Sequence, residues 1–409
     1  MTGPHFTTFI VTAQVLAQIG TFTLPALLPG FITRWSLSGT EAGWLIGAFF
    51  AAYVAAVPVL VALTDRIPAR RIYMLGTGLT ALSHLGFVLI ADGFWSALLL
   101  RLVAGAGWAG CYMPGLKVLA DRLEGAEQSR AVGMHAAGVG VAGAASFAVA
   151  GALDAVAGPR AAFLFGGLAA MLAFAIGAFA MPREAPARNP ARDPTALLDF
   201  RPVLRNRAAM AWIAGYTVHT WELAALRAWG VTFLAATIAW HGAPAWLPGP
   251  SAIFTAAGLL GIVVSLTGNE VAQHFGRLRV VTAAMGAGAV FALLTGSSAL
   301  LSAPLAALCV LTWNAAIYLD SSALTAGTVQ AADKERRGAT MGLHSMCGYA
   351  GGFLGPIIVG IAPDLAGSDN VLGWGLAFGH LAPVTLAGLW VLRRLGRAGC
   401  RSIDAGRPG

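Results

Sequence analysis

Charge is scarce in this sequence. Charged residues make up 11% of the 409, where an ordinary soluble domain carries about 25%. That scarcity excludes a conventional water-facing surface. Cysteine is scarce too. Cys111, Cys309, Cys347 and Cys400 show no metal-ligand spacing; three lie in apolar runs and one in a basic tail, so free thiols are expected, with no disulfide framework and no metal site. No Gly-x-x-x-x-Gly-Lys-Ser/Thr segment is present, no nucleophile–base pair stands out, and no cofactor is expected; an enzyme is disfavoured. Gly138-x-Gly140-x-x-Gly143 fits the dinucleotide fingerprint by letter, but no strand precedes it and it lies within an apolar run. Strand-like alternation is missing as well, which argues against a β-barrel. The first apolar run has no Lys or Arg before it and is too long for the core of a signal peptide, so it should stay as a spanning helix.

What the chain has instead is apolar length. Hydrophobic residues are 57% of the sequence, and the mean hydropathy is +0.72. Runs bounded by charged or Pro/Gly-rich breaks fall near 6–29, 41–63, 72–91, 95–119, 130–153, 160–181, 208–240, 250–268, 279–298, 303–327, 338–361 and 373–394. A crossing helix needs about 20 apolar residues, and a spanning segment must satisfy its own backbone hydrogen bonds, so these twelve runs are expected to be helices. The expected fold is an all-α integral membrane protein of twelve transmembrane helices in two pseudo-symmetric six-helix bundles.

The charges that remain are distributed by topology. With the N-terminus in the cytoplasm, outside loops hold only Arg34 and Arg160, while Arg101, Lys117 and Arg227 stay at membrane depth and every other Lys and Arg falls inside. This is the positive-inside pattern. It accounts for the net charge of +8 without nucleic acid as a partner. It also predicts a multi-pass protein with both termini cytoplasmic; a bacterial inner membrane, contact with membrane lipids and a monomeric state are expected alongside it. The stretch 182–207, rich in Pro, Arg and Ala, reads as a cytoplasmic linker between an N-terminal bundle, 1–181, and a C-terminal bundle with a short basic tail, 208–409. At an offset of 209 residues, Gly133, Gly143 and Gly151 fall on Gly342, Gly352 and Gly360, as expected of a parallel repeat.

With helix count, linker and repeat in place, the chain resembles the major facilitator superfamily of secondary transporters. Leu63-Thr-Asp65-Arg66-Ile-Pro68-Ala-Arg70-Arg71 is similar to the family's signature loop between helices 2 and 3, with Pro68 and Ala69 in place of the usual Gly-Arg. Gln273-His274-Phe-Gly276-Arg277 keeps the other part after helix 8. The resemblance implies a gating role for Asp65, with Arg66, Arg70, Arg71 and Arg277; the alternative is a solvated loop that only sets topology. Arg101 resembles the family's buried arginine of helix 4, linked in relatives to proton or substrate coupling; the alternative is an arginine snorkelling to the interface. Gly342, Gly351 and Gly355-Pro356 resemble the glycine stripe of drug/proton antiporters, although that stripe normally lies on helix 5 and here falls on helix 11.

The residues singled out for function are polar groups where lipid would make them costly. Tyr216, His219 and Glu222 share one face of the seventh span at i, i+3, i+6, and Arg227 lies about 140° round from Glu222. On the tenth span Asn314 and Tyr318 share a face, and Asp320 lies deeper; a buried aspartate must pair with a cation or take up a proton, and Lys117 and Arg227 are the candidate cations. Lys117 either lines a cavity below Tyr112 or pairs locally with Asp121 at i+4. Gln14 and Gln18 are expected as cavity liners, and Trp221 is placed beside Glu222. His84, His135, His344 and His380 read as packed polar residues. Proton coupling is assigned to Glu222, Asp320 and His219. Substrate contact is assigned to Arg101, Arg227, Lys117, Asn314, Tyr112, Tyr216, Tyr318, Gln14, Gln18 and Trp221.

The resulting expectation is a secondary transporter that moves a small solute by alternating access, driven by protons. Three candidate cations against two acids favour an organic or inorganic anion. The alternative is an efflux antiporter for a drug or metabolite, and a third reading, a membrane sensor that kept the fold, finds no room for a signalling domain in the short loops.

Overall fold

The computed structural model describes residues 4–64, 66–183, 199–366 and 371–404. In chain order the helices are α1 (Pro4–Gln18), α2 (Thr23–Trp35), α3 (Gly39–Leu63), α4 (Ala69–Leu89), α5 (Phe94–Arg122), α6 (Gly125–Ala157), α7 (Pro159–Ala180), α8 (Arg201–Arg205), α9 (Arg207–His241), α10 (Pro250–Phe275), α11 (Arg277–Ser298), α12 (Ala303–Ala331), α13 (Arg337–Ala366), α14 (Val371–Gly379) and α15 (Leu381–Asp404). Among the described residues, twelve spans are long and apolar enough to cross a membrane; α1 with α2 forms the first, and α14 with most of α15 the last. Among the described residues there is no strand. Large apolar side chains such as Leu89, Trp95, Phe179 and Leu266 stand exposed. In water such a surface would drive aggregation, whereas hydrocarbon accepts it.

Two runs that read as continuous helices are in fact broken. Between α1 and α2 the chain turns at 19–22, and Pro25 explains the place: its ring crowds the carbonyl of Thr21, four residues back. The groups freed there are satisfied from neighbouring helices, since Phe22 N–H donates to Ser146 Oγ at 2.9 Å and His84 Nε2 lies 3.0 Å from the Gly20 carbonyl. The second break, at His380 between α14 and α15, follows from Pro383 in the same way, its ring crowding the carbonyl of Gly379, four residues back. There His380 Nδ1 donates to the Ala377 carbonyl at 2.6 Å.

The chain divides into two compact units. The first holds α1–α7 together with Arg227–Ala235 of α9 and the segment Pro248–Leu259. Its core gathers Phe6, Ile10, Ala13 and Ala17 of α1 with Tyr73, Cys111, Val118 and Leu119. α4 and α5 meet backbone to backbone at Gly76, Gly107 and Gly110, where an added Cβ would overlap the opposite chain. The second unit holds α8, the remainder of α9 and α10, and α11–α15. In it Ala211, Met285, Leu324 and Leu392 pack together. Gly351 and Gly355 bring α13 against the carbonyls of Thr217 and Trp221 on α9. The assignment of parts of α9 and α10 to the first unit differs from a cut at the linker. Of that linker, 184–198 lies outside the described residues. Its end forms α8, and Asn206 starts α9 by accepting from Ala209 N–H at 3.0 Å while donating to the Ala331 carbonyl at 2.9 Å.

Candidate functional site

In the second unit three ionisable groups are buried together. His219 and Asp320 are each 3% exposed, and Nδ1 of the imidazole lies 2.7 Å from Oδ1 of the carboxylate. Glu222, 4% exposed, sits one turn further along α9. Its Oε1 accepts from the indole N–H of Trp313 on α12, and its Oε2 accepts from Thr385 Oγ on α15 at 3.4 Å. Both donors are neutral. Gly288 of α11 makes the space: a Cβ there would stand 2.8 Å from Oε1. Four helices therefore close around one carboxyl group. Trp313 is itself fixed by the edge of Phe378, with ring centroids 5.1 Å apart.

Below this lies an aromatic stack. The Tyr216 ring is sandwiched by His219, 5.7 Å away at 17°, and His344, 3.8 Å away at 18°. His344 in turn has Nδ1 3.1 Å from Thr328 Oγ and Nε2 3.4 Å from Thr325 Oγ. The chain of groups Asp320, His219, Tyr216, His344 and Thr328 leads along α9, α12 and α13 toward the end at which α9 begins. Trp221 points elsewhere, and its N–H donates to His380 Nε2 at 3.3 Å, at the break in the last span. Asn314 and Tyr318 are buried on α12, the phenol ring seated against Gly261 of α10.

One expectation is corrected here. The partner of Asp320 is His219, where the sequence offers Lys117 and Arg227 as the candidate cations. Lys117 Nζ is 3.1 Å from Asp121, its i+4 neighbour on α5, which a helix brings within reach at little cost. His219 and Glu222, on one face of α9, engage different partners. The two side chains reach α12 two turns apart, at Asp320 and at Trp313.

In the first unit Arg101 is only 3% exposed and so does not snorkel. Its Nε–H donates to the Leu45 carbonyl of α3 at 3.1 Å, and its guanidinium lies 4.7 Å from the Phe49 ring centroid. Both contacts are neutral, which leaves the positive charge uncancelled by them. Arg227 lies over the Phe22 ring at 4.9 Å, at the break in the first span. Gln14 and Gln18 are buried, and the Tyr112 ring faces His135 at 5.3 Å. Of the gating residues, Asp65 lies outside the described residues. Arg66 and Arg71 are exposed, Arg70 donates twice to the Ala178 carbonyl at 2.7 and 3.0 Å, and Arg277 donates to Gln330.

A family model described as Major Facilitator Superfamily matches residues 10–356. The chain belongs to the Major Facilitator Superfamily. Membership makes it a multi-pass secondary transporter of small molecules, and not an enzyme. Among solved superfamily structures it is similar to a bacterial homologue of the human lysosomal transporter Spinster, inward-facing and unoccupied. That match has a TM-score of 0.75 at 17% identity and covers 99% of this chain and 98% of that one. It is also similar to the nucleoside transporter NupG, with a TM-score of 0.77, 13% identity and coverage of 95% and 99%. The POT family transporter PepTSo matches with a TM-score of 0.77, 13% identity and coverage of 98% and 99%. These likenesses concern the superfamily fold alone. A curated relative, the uncharacterized MFS-type transporter YwoD of Bacillus subtilis (strain 168), is 27% identical over 118 residues, 29% of this chain; the match spans about a quarter (26%) of that relative's length.

Sequence reasoning did not select Trp313, Thr385, Gly288 or His344. Trp313 stands directly before Asn314, and an indole N–H at mid-span was the available signal. Thr385 and Gly288 gave none, because their place beside Glu222 comes from helix packing across 163 residues of chain in the case of Thr385.

Proposed function

We propose that this transporter moves a small organic or inorganic anion by alternating access and draws its energy from the proton gradient. The observation that carries the reading is Glu222, a buried carboxyl group held only by neutral donors, one helical turn from the buried His219–Asp320 pair. A carboxyl in such a place changes its charge and its hydrogen bonding together when a proton arrives or leaves. A buried charge without a cation is costly, so the proton state of Glu222 biases which arrangement of α9, α11, α12 and α15 is stable. The stacked Tyr216 and His344 extend the titratable groups toward one end of the helices.

Anion preference is supported by the cations at membrane depth. Arg101 has a backbone carbonyl and an aromatic face as partners, and Arg227 lies over an aromatic face. Lys117 contributes less, since Asp121 offsets it. The gating role proposed for the 65–71 loop draws on Arg70, whose two hydrogen bonds tie the start of α4 to the end of α7. The arginine distribution supports cytoplasmic termini; location in a bacterial inner membrane and function as a monomer complete the reading.

The test is uptake into proteoliposomes under an imposed pH gradient. Accumulation of an anion that collapses on addition of a protonophore supports the proposal; accumulation indifferent to the protonophore overturns it. The competing reading, antiport of an amphipathic drug or metabolite, draws on the aromatic groups of the second unit: Trp313 on Glu222, Tyr216 between two histidines, and Trp221 at His380. Drug resistance conferred on cells that carry the gene, with no anion uptake, would favour it.

A further inference from the structure

The first unit contains a second group of polar side chains that the coupling mechanism does not use. Gln14 is 0% and Gln18 2% exposed, and His135 is 0% exposed. Among the described residues, neither amide oxygen, neither amide nitrogen and neither ring nitrogen of these three has a hydrogen-bond partner. The hydroxyl of Tyr73, a residue 0% exposed, has none either. Each such group costs about 1–3 kcal/mol to leave unmade, and no bulk water is at hand inside a bilayer. A chain that keeps four of them in one unit has a use for them.

The helices that carry them pack against one another. α1 presents Val11 and Val15 to Gly138 of α6, and Ile10, Ala13 and Ala17 to the core that holds Tyr73 and Cys111. At 100° per residue Gln14 and Gln18 fall on the arc between those two faces, at the junction of α1 with α5 and α6. On the far side of that junction Gly115 of α5 leaves room for His135: a Cβ there would be 2.8 Å from its Nε2 and 3.7 Å from the Tyr73 ring. Tyr112, half-buried, faces His135 one turn further on. Depth agrees for Gln14, His135 and Tyr112. Gln14 and His135 each come ten residues after the start of their helix, and Tyr112 comes ten before the end of α5. Gln14 and His135 therefore lie about 15 Å from the starts of their helices and Tyr112 about 15 Å from the end of α5, at the same level if the spans alternate; Gln18 lies about 6 Å deeper and Tyr73 of α4 about 9 Å shallower.

We propose that Gln14, Gln18, Tyr73, Tyr112 and His135 form a subsite for the uncharged part of the transported anion, a portion carrying hydroxyl or amide groups. An amide side chain both donates and accepts, as do a phenol and a neutral imidazole. Such a set matches a polyhydroxy or acylamino chain, whose donors and acceptors alternate. Its donors can meet sulfate or phosphate oxygens, but its acceptors find no partner on sulfate and at most one or two P–O–H groups on phosphate. The substrate that uses the whole set is then an organic acid with a polar body, in preference to an inorganic anion. This rests on the anion reading above. It goes beyond that reading by assigning to the first unit the discrimination between substrates of equal charge, since a site built to hydrogen-bond a group rejects analogues that lack it.

The experiment is a thermal-shift and binding titration of the full-length protein in detergent. Gluconate and N-acetylglycine serve as polar-bodied acids, acetate and butyrate as plain acids, and phosphate and sulfate as inorganic anions. Wild type is compared with Gln14→Met and Gln18→Met, and with the pair combined. The inference predicts that at least one polar-bodied acid stabilises wild type, that the Met variants bind it at least tenfold more weakly, and that the ligand-free variants melt at the same temperature as wild type or about 1–3 °C higher, because a buried unpaired amide has been removed. A lower melting temperature in both ligand-free variants would show that the amides hold structural water, and overturns the inference. So does equal binding of the polar-bodied acids by wild type and variants, and so does wild-type binding of inorganic or plain anions only; in the last case the anion reading survives. If no anion of any kind binds, the anion reading fails and takes this one with it.

Discussion

His219 of α9 and Asp320 of α12 are joined by a 2.7 Å contact between Nδ1 and Oδ1, with both side chains almost wholly buried. The contact ties together two spans 101 residues apart in sequence. Removal of one partner strands the other in an apolar interior. Asp320→Ala is therefore expected to destabilise the protein by about 3 kcal/mol, and His219→Ala by a similar amount. The double variant should lose much less than the sum. Chemical denaturation of the four proteins in mixed micelles measures this coupling. Additive losses would show that the pair does not act as a unit.

Gly288 tests the packing around Glu222. Gly288→Ala puts a methyl group 2.8 Å from the carboxylate oxygen, so the side chain must leave Trp313 and Thr385. The expected cost is about 1–3 kcal/mol, with a fall of tenfold or more in gradient-driven uptake. Gly286, on the same helix, has open space at its Cβ position, and Gly286→Ala serves as the control. Tryptophan fluorescence follows the indole of Trp313 as its acceptor moves. Equal uptake by the two variants would count against this geometry.

The break in the first span depends on Ser146. Its hydroxyl accepts from Phe22 N–H, a donor that the broken helix leaves without an internal partner. Ser146→Ala is expected to cost about 1–2 kcal/mol and to speed amide deuterium exchange at 20–24, while exchange in the middle of α3 and α7 stays unchanged. Unaltered exchange at the break would mean that another acceptor takes over.

Much of the architecture was legible from composition and run length, because a bilayer leaves few choices. Apolar runs bounded by arginine and proline give the spans, and their charge-free interiors make Glu222, Asp320 and Arg101 conspicuous. The helix breaks were less legible. Pro25 and Pro383 mark them only after one asks which carbonyl four residues back is crowded, and the runs around them are apolar enough to read as unbroken. Pairing was the hardest to see. Lys117 and Arg227 carry full charges and were the candidate cations for Asp320, and the i+4 spacing that offered Asp121 to Lys117 is the pairing the structure shows. His219 is charged only when protonated, so its claim on Asp320 came from the crossing of α9 and α12, which no local pattern records. The donors to Glu222 were hidden for the same reason: Thr385 is one of many threonines in spans, and only packing sets it apart.

The central claim is that the proton state of Glu222 drives accumulation, and the direct measurement is transport by Glu222→Gln in proteoliposomes. Glutamine keeps the size of the side chain and its oxygen acceptor for Trp313, but it cannot take up or release the proton. The account predicts that this variant folds, binds substrate and exchanges it across the membrane at near wild-type rates, yet no longer accumulates it when a pH gradient is imposed. Uphill accumulation by Glu222→Gln at the wild-type level would contradict it.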